Sequence, residues 1–271
     1  MITSVEKLAG LVTSGAKIAL PVDYAGVSMA MTRPLIARGL RDLHLVCVPT
    51  GGIQPDMFIG AGMVKTIETS AMTLGEAGGA PCFGRAVQQG SVKLMDATCP
   101  AVHAGFLASQ KGAPFAVMRG LIGTDLLANR PDWKIIDNPF SEDKDPIVAI
   151  PAIRPDFAIF HAPLADRFGN VWIGRRRELG AMAYASATTL VTVERVVDDN
   201  LLSDEKMAAG VLPALYIEAV AEAKFGAKPY GLWGEYAPDT AEIMRYAGEA
   251  RTPEGFAAYL AASDRKLETV A

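Results

Sequence analysis

The stretch KIALPVDYAGVSMAMTRPLIARGLRDLHLVCV, residues 17–48, decides the fold class. Lys17 to Pro21 is a short apolar run and reads as a strand. Val27 to Arg38 reads as a helix, with Ser28 near its N-terminus. Leu43 to Val48 is apolar almost throughout, as a strand buried on both faces must be. Strand, helix and buried strand at this spacing form a crossover unit, and crossovers join parallel strands. Working outward, Val64 to Met72 and Val92 to Met95 read as strands. Pro81 to Gln89 reads as a short helix, and Pro100 to Lys111 as a longer one with Thr98 or Cys99 as its cap. Asn129 to Pro151 is polar and broken by Pro131, Pro139, Pro146 and Pro151, an excursion from the core. Apolar strands resume at Phe157 to Phe160 and Leu190 to Val197. Past Ala237 the pattern turns helical, over Thr240 to Tyr246 and Pro253 to Leu267. The expectation is one α/β domain over residues 1–271, a mainly parallel sheet flanked by helices, with C-terminal helices from about residue 240.

The chain has 271 residues, is 50% hydrophobic and carries a net charge of −4, enough for a sizeable core. No extended basic stretch interleaved with aromatics points to nucleic acid. No apolar stretch approaches the roughly 18 residues of a membrane span. The first residues include Glu6 and Lys7 and lack a secretory apolar region. The 3 cysteines, Cys47, Cys82 and Cys99, have no C-x-x-C spacing, so reduced core thiols and a cytoplasmic location are expected.

The segment FHAPLADRFGNVWIG, residues 160–174, reads as strand, polar turn, strand, with His161, Asp166 and Asn170 near a strand end. It resembles the HAPxADxxGN signature of the A-type (alpha) subunits of family I coenzyme A transferases, glutaconate CoA-transferase among them. Further segments match that pattern in chain order. They are Gly51-Gly52-Ile53 with Asp56 to Gly62, Gly78 to Ala86, Gly112 to Leu126, and Val191 to Val197 followed by Pro213 to Pro229.

The same residues have a reading of their own. Gly51, Gly52, Gly60 and Gly62 allow close backbone approach, with N–H groups that can face an anion, or they are plain turn glycines. The spacing is neither G-x-G-x-x-G nor a P-loop, which argues against NAD and ATP. Arg119, Gly123, Thr124 and Asp125 follow the strand-like run Phe115 to Met118, where α/β sheets line a ligand crevice. Arg119 can grip a carboxylate with both nitrogens or serve a structural salt bridge. His161 can act as a base, donate to a carboxylate, or tie down the turn with Asp166 and Asn170. Ser28 is outside any G-x-S-x-G, which argues against a hydrolase triad and leaves it a binding candidate. His44, His103 and the Glu194-Arg195 pair read as structural. His103 has no ligand four residues on, so no metal site is expected. Tyr24, Phe83 and Phe115 can wall a substrate or simply pack.

The resemblance implies ping-pong catalysis. A glutamate attacks an acyl-CoA, becomes a glutamyl-CoA thioester, and passes CoA to a carboxylic acid. That glutamate belongs to the homologous B-type (beta) subunit, in motifs such as S-E-N-G, and no E-N-G occurs here. Glu76-Ala77-Gly78 has only the loose E-x-G form. Asp96 stands where relatives carry an acidic residue, including relatives that hydrolyse CoA thioesters. Asp96 and Glu76 are therefore the catalytic candidates in this chain. Ser28, Gly51, Gly52, Arg119, Gly123, Thr124, His161 and Asn170 are the substrate or CoA-binding candidates. The implied protein is the A-type subunit of a hetero-oligomeric CoA-transferase, with CoA thioester as substrate, no permanently bound cofactor and no metal. The alternatives are a subunit of a thioester hydrolase or ring-opening enzyme, and a non-catalytic stabilising subunit.

Overall fold

Alternate side chains of the first two predicted strands enter opposite apolar clusters. Ile18, Leu20, Leu43, Leu45 and Cys47 belong to one, and Ala19, Val46 and Val48 to the other. The sheet is therefore covered on both faces, which is why its strands read as continuous apolar runs. The computed structural model describes residues 1–268, so residues 269–271 of the expected domain lie outside the described residues.

The first part of the chain runs β1 (Ile2–Thr3), α1 (Val5–Leu11), β2 (Lys17–Pro21), α2 (Thr32–Ala37), β3 (Leu43–Val48), α3 (Ile53–Gly60), β4 (Val64–Thr69), α4 (Pro81–Gln88), β5 (Lys93–Asp96) and α5 (Cys99–Gln110). The excursion, expected over Asn129 to Pro151, begins earlier, at Phe115, and holds β6 (Phe115–Met118), α6 (Leu126–Asn129), β7 (Lys134–Asp137) and β8 (Pro146–Pro151). Then come β9 (Phe157–Asp166), β10 (Val171–Trp172), α7 (Arg177–Ala185), β11 (Thr188–Val197), β12 (Val211–Leu212), β13 (Ala219–Glu222), α8 (Thr240–Glu249) and α9 (Pro253–Glu268). The main sheet has the order β1-β13-β11-β9-β2-β3-β4-β5, with neighbours parallel along this path. β10 adds antiparallel pairings to β9 and β12. Helices α5 and α7 cover one face, and α1 to α4, α8 and α9 the other. Among the described residues no helix is long and apolar enough to cross a membrane.

Three local expectations are corrected. The helix expected over Val27 to Arg38 becomes a single 3-10 turn, Met29–Met31, followed by α2. The Ser28 hydroxyl is bound to Thr192 and its carbonyl accepts from Gln54, which holds the first residues out of helical geometry. The strand expected to stop at Phe160 runs on to Asp166, paired with β11 on both sides of Pro163. Pro163 is tolerated there because β2 pairs only with the first residues of β9, so the missing N–H breaks no ladder on that side. Lastly, Phe115 to Met118 is a strand of a separate three-stranded antiparallel sheet, β6-β8-β7, and not of the parallel sheet. That sheet uses Val148 and Ile150 to join the cluster beneath α5 and α7.

Candidate active site

Strand order reverses between β2 and β9. From β2 the chain moves outward through β3, β4 and β5, and from β9 it moves the other way through β11 and β13. Open parallel sheets bind ligands outside the carboxyl ends of their strands at such a reversal, because the flanking loops diverge there and leave a crevice. A cavity of about 690 Å³ opens at this place, with Asp23, Tyr24, Arg176, Tyr230, Trp233 and Tyr236 in its lining. Asp23 and Tyr24 follow β2 directly. Burial pushes the Asp23 carboxyl up to about 6, with a smaller opposing effect from its own backbone N–H. A side chain at Gly52 would collide with the Tyr230 hydroxyl and lie 2.5 Å from Asp23 Oδ1. Glycine is thus required by close approach, and the Ile53 N–H donates to Tyr230 at 2.6 Å, fixing the start of α3. The Arg176 guanidinium lies 3.9 Å from the centre of the Trp233 ring.

Beneath the cavity runs a buried polar chain. Glu194 Oε1 accepts from His161 Nε2 at 2.7 Å, from the Tyr236 hydroxyl at 2.7 Å and from the Gly226 N–H at 3.1 Å. Glu194 Oε2 accepts from the Phe225 N–H at 2.7 Å. Burial works to raise the Glu194 carboxyl, yet the bonds from His161, Tyr236 and the Phe225 N–H outweigh it and hold the group at about 2. Burial lowers the His161 pKa despite the opposing pull of Glu194, so the ring is neutral. A neutral ring that donates from Nε2 must accept at Nδ1, which assigns the Thr192 hydroxyl, 2.8 Å away, as donor. Thr192 in turn accepts from Ser28 at 2.7 Å. Every member has a partner, as buried polar groups require. Gly26 and Gly226 wrap the imidazole residue: a Cβ at Gly26 would strike the His161 carbonyl oxygen, and one at Gly226 would lie 2.5 Å from Cε1. The chain therefore fixes both loops that border the cavity.

The candidates from sequence separate into groups. His161 and Ser28 are fully buried in this chain and present no side-chain surface to the cavity. His161 bonds to Thr192 and Glu194, not to Asp166 or Asn170. Asn170 stands at the hairpin after β9, where its amide donates to Asp166 Oδ2 at 2.7 Å and its oxygen accepts from the Ala214 N–H at 2.9 Å. Gly51, Gly52 and Asp96 do come to the shared carboxyl edge. Gly51 donates to the Ala71 carbonyl and accepts from Thr73, so its polar groups join loop to loop. Asp96 ends β5 opposite Thr69, its carbonyl accepting from Arg130 at 3.1 Å. Arg119, Gly123 and Thr124 belong to the excursion, ahead of α6, which packs beside β5. Arg119 is exposed and already grips the Asp145 carboxylate with both nitrogens. Glu76 is exposed on a single 3-10 turn, Gly75–Ala77.

Other expectations find their places. The Arg195 guanidinium binds Glu235, consistent with a structural pair beside Glu194. His44 is half-buried, and burial first, then nearby Lys17, Lys93 and Arg130, push its ring down to about 4. Cys47 and Cys82 are core thiols, but Cys99 is exposed at the first helical position of α5, 3.1 Å from Ser70 Oγ. Thr98, not Cys99, caps that helix, its hydroxyl accepting from the Ala101 N–H. Of the candidate wall aromatics, Tyr24 lines the cavity, Phe83 packs on the core, and Phe115 lies exposed on the excursion. Sequence reading missed Asp23, Arg176, Tyr230, Trp233 and Tyr236. The signals were present: Asp23 closely follows a predicted strand, Arg175 to Arg177 form a short basic run, and Trp233 stands in a Gly231 to Gly234 loop.

Fold and site together define an α/β subunit whose ligand crevice opens at the reversal of a parallel sheet. The chain belongs to the coenzyme A transferase family, whose model matches residues 2–223. It is 31% identical to the A-type subunit of 3-oxoadipate CoA-transferase from Pseudomonas knackmussii, over 96% of this chain and 92% of that protein. It is 27% identical to the cholesterol ring-cleaving hydrolase IpdA subunit of Rhodococcus jostii, over 86% of this chain and 81% of that one. The crystal structure of glutaconate coenzyme A-transferase from Acidaminococcus fermentans superposes with a TM-score of 0.87 at 25% identity, covering 95% of this chain and 86% of that one.

Proposed function

We propose that this chain is the A-type subunit of a heteromeric enzyme that moves CoA from an acyl-CoA to a carboxylic acid by ping-pong catalysis, with the nucleophilic glutamate on a homologous B-type subunit. The observation that carries the reading is the state of this chain's buried glutamates. A carboxylate nucleophile must be dry and unengaged to attack a thioester. Among the described residues, Glu68 and Glu194 are the buried glutamates. Glu68 is bound to Arg130 at 2.7 Å, and Glu194 accepts four hydrogen bonds. Glu76 is exposed to water. The attacking group therefore comes from the partner, and this chain supplies one wall of the cleft. CoA thioester enters as substrate, no cofactor is held permanently, and the free thiols suit a cytoplasmic setting.

One observation favours a second reading. The Asp96 carboxylate ends β5 at the carboxyl edge of the parallel sheet with no hydrogen bond or ion pair among the described residues, and the chain is similar to a ring-cleaving hydrolase subunit. In that case water is the second reactant, attacking the thioester with release of CoA or adding across a ring carbon–carbon bond of an acyl group that stays on CoA. The test is product analysis of the chain co-purified with its B-type partner, supplied with acyl-CoA with and without a second carboxylic acid. Acceptor-dependent formation of a new acyl-CoA supports the transferase. Free CoA released, or a ring-opened acyl-CoA one water heavier formed, at the same rate without acceptor supports the hydrolase.

A further inference from the structure

At the amino end of the main sheet, away from the crevice, a smaller cavity of about 260 Å³ opens where β11 and β13 begin. The last turn of α7 forms one wall, the start of β11 the floor, and the 3-10 turn Ala214–Tyr216 with Glu218 the other wall. Thr189 is 1% exposed, and its hydroxyl has no hydrogen-bond partner among the described residues. It stands two residues before Val191, whose side chain joins the cluster beneath α7, so strand alternation points Thr189 toward α7 and into this cavity. Its cross-strand neighbour on β9 is Ala158, which offers only a methyl group. A buried hydroxyl without a partner is unfavourable, and a ligand oxygen that meets it removes the penalty. At the rim, Glu218 is exposed, in no ion pair among the described residues, and the one charged side chain of the described lining. Its backbone is fixed: the N–H donates to the Thr189 carbonyl at 3.0 Å, and the carbonyl accepts from the Met1 ammonium at 2.9 Å. Tyr184 and Tyr216, both exposed, stand edge to face in the same lining with ring centres 4.5 Å apart.

These groups define what fits. The Glu218 carboxylate, the faces of two tyrosine rings and the carboxyl end of α7, the negative end of a helix dipole, all favour a cation and repel an anion. The Thr189 hydroxyl needs an acceptor for its own proton. An ammonium only donates and leaves that proton unmet, whereas a ligand hydroxyl accepts it. The volume falls below the roughly 300–1,000 Å³ of drug-sized sites, so the ligand has few atoms. We propose that this cavity binds a small amino alcohol, with its hydroxyl on Thr189 and its ammonium at the rim beside Glu218 and the two tyrosines. The site sits at the start of β11, whereas Glu194 and the crevice belong to the carboxyl end of that strand. The proposal therefore stands apart from the CoA-dependent reading, and the failure of either leaves the other intact.

The test is ligand-observed NMR titration of the full chain, alone and co-purified with its B-type partner, in potassium chloride buffer. The probes are ethanolamine and two molecules of its size, propylammonium without the hydroxyl and ethylene glycol without the charge. The wild type should bind ethanolamine about fivefold or more tighter than either. Thr189→Val should lose that factor for ethanolamine and no longer distinguish it from propylammonium. Glu218→Gln should weaken ethanolamine by a factor that shrinks as salt rises, and should narrow its advantage over ethylene glycol. Thr189→Val removes a hydroxyl that has no partner, so it should melt no lower than the wild type, and Glu218→Gln changes an exposed side chain. Circular dichroism checks both folds. No ethanolamine binding by the wild type overturns the proposal, as does equal affinity for the three probes. A folded Thr189→Val that keeps the full preference for ethanolamine over propylammonium overturns it too. Binding by the chain alone that is lost in the complex also overturns it, and gives the surface to the partner.

Discussion

Two layers of the same crevice differ in one respect. In the lower layer, Ser28, Thr192, His161, Glu194 and Tyr236 form a chain in which each group meets another at 2.7–2.8 Å. In the upper layer, Asp23 and Arg176 face a cavity and remain unpaired with each other. The lower layer is complete without a ligand, and the upper layer is not. Residues that stand out in sequence therefore need not touch substrate. His161 belongs to a segment that resembles the family signature, yet its ring shapes the floor under the site.

That contrast is broken most directly at Glu194. Glu194→Ala leaves the donors of His161, Tyr236, Phe225 and Gly226 without an acceptor in a buried place. A loss of about 3–5 kcal/mol in urea unfolding is expected. A loss below about 1 kcal/mol would show that the chain of bonds is not structural.

Gly26→Ala comes next. Its backbone has φ of +87°, and the added methyl would meet the His161 carbonyl oxygen. Strain and overpacking together should destabilise the protein by about 2–3 kcal/mol, read from the same unfolding curves.

The upper layer should respond in the opposite sense. The Asp23 pKa is raised in the folded chain from 3.8 to about 6, so the native state holds the proton more tightly than the unfolded state between these values. Asp23 therefore costs stability progressively as pH rises through that window. Asp23→Asn should stabilise the protein at about pH 7–8, on the order of 1 kcal/mol, and have little effect near about pH 3.5. Glu194 has the reverse sign: its contribution is present above the ordinary carboxylate range and is lost as pH falls through about 2. A stabilising effect of Asp23→Asn that persists undiminished at low pH would contradict the assignment.

The smallest effect belongs to the excursion. Arg119 is exposed, and its partner Asp145 stands just before β8 of the same small sheet. Arg119→Gln should leave the unfolding midpoint unchanged, because water competes for an exposed ion pair. If it nonetheless abolishes turnover in the complex, Arg119 touches substrate there, and the rim of the site extends into the excursion.

Much of the scaffold was legible in the sequence because it is local. Lys17–Pro21 and Leu43–Val48 carry their strand character in apolar continuity, and the structure places β2 and β3 over the same residues. Pro81 and Pro100 mark the first turns of α4 and α5, where proline loses no needed N–H. The length of β9 was not legible. His161, Pro163 and Asp166 look like turn chemistry, and only pairing with β11 holds them extended. The site was legible in part. Gly51, Gly52 and Asp96 lie at strand ends and reach the shared edge. Asp23, Arg176 and Trp233 come from three distant segments, and nothing local to any one of them announces the other two. Arg119 carries the complementary lesson: a guanidinium after a strand suggests a ligand, but its carboxylate partner lies across the excursion.

The central claim is that the nucleophile comes from the partner. The most direct measurement incubates the chain and its co-purified B-type partner with acyl-CoA, reduces or traps with borohydride or hydroxylamine, and maps the modified residue by mass spectrometry. The account predicts a single modified glutamate on the partner, formed only in the complex. A modified glutamate on this chain, whether Glu76 or a released Glu194, would contradict it.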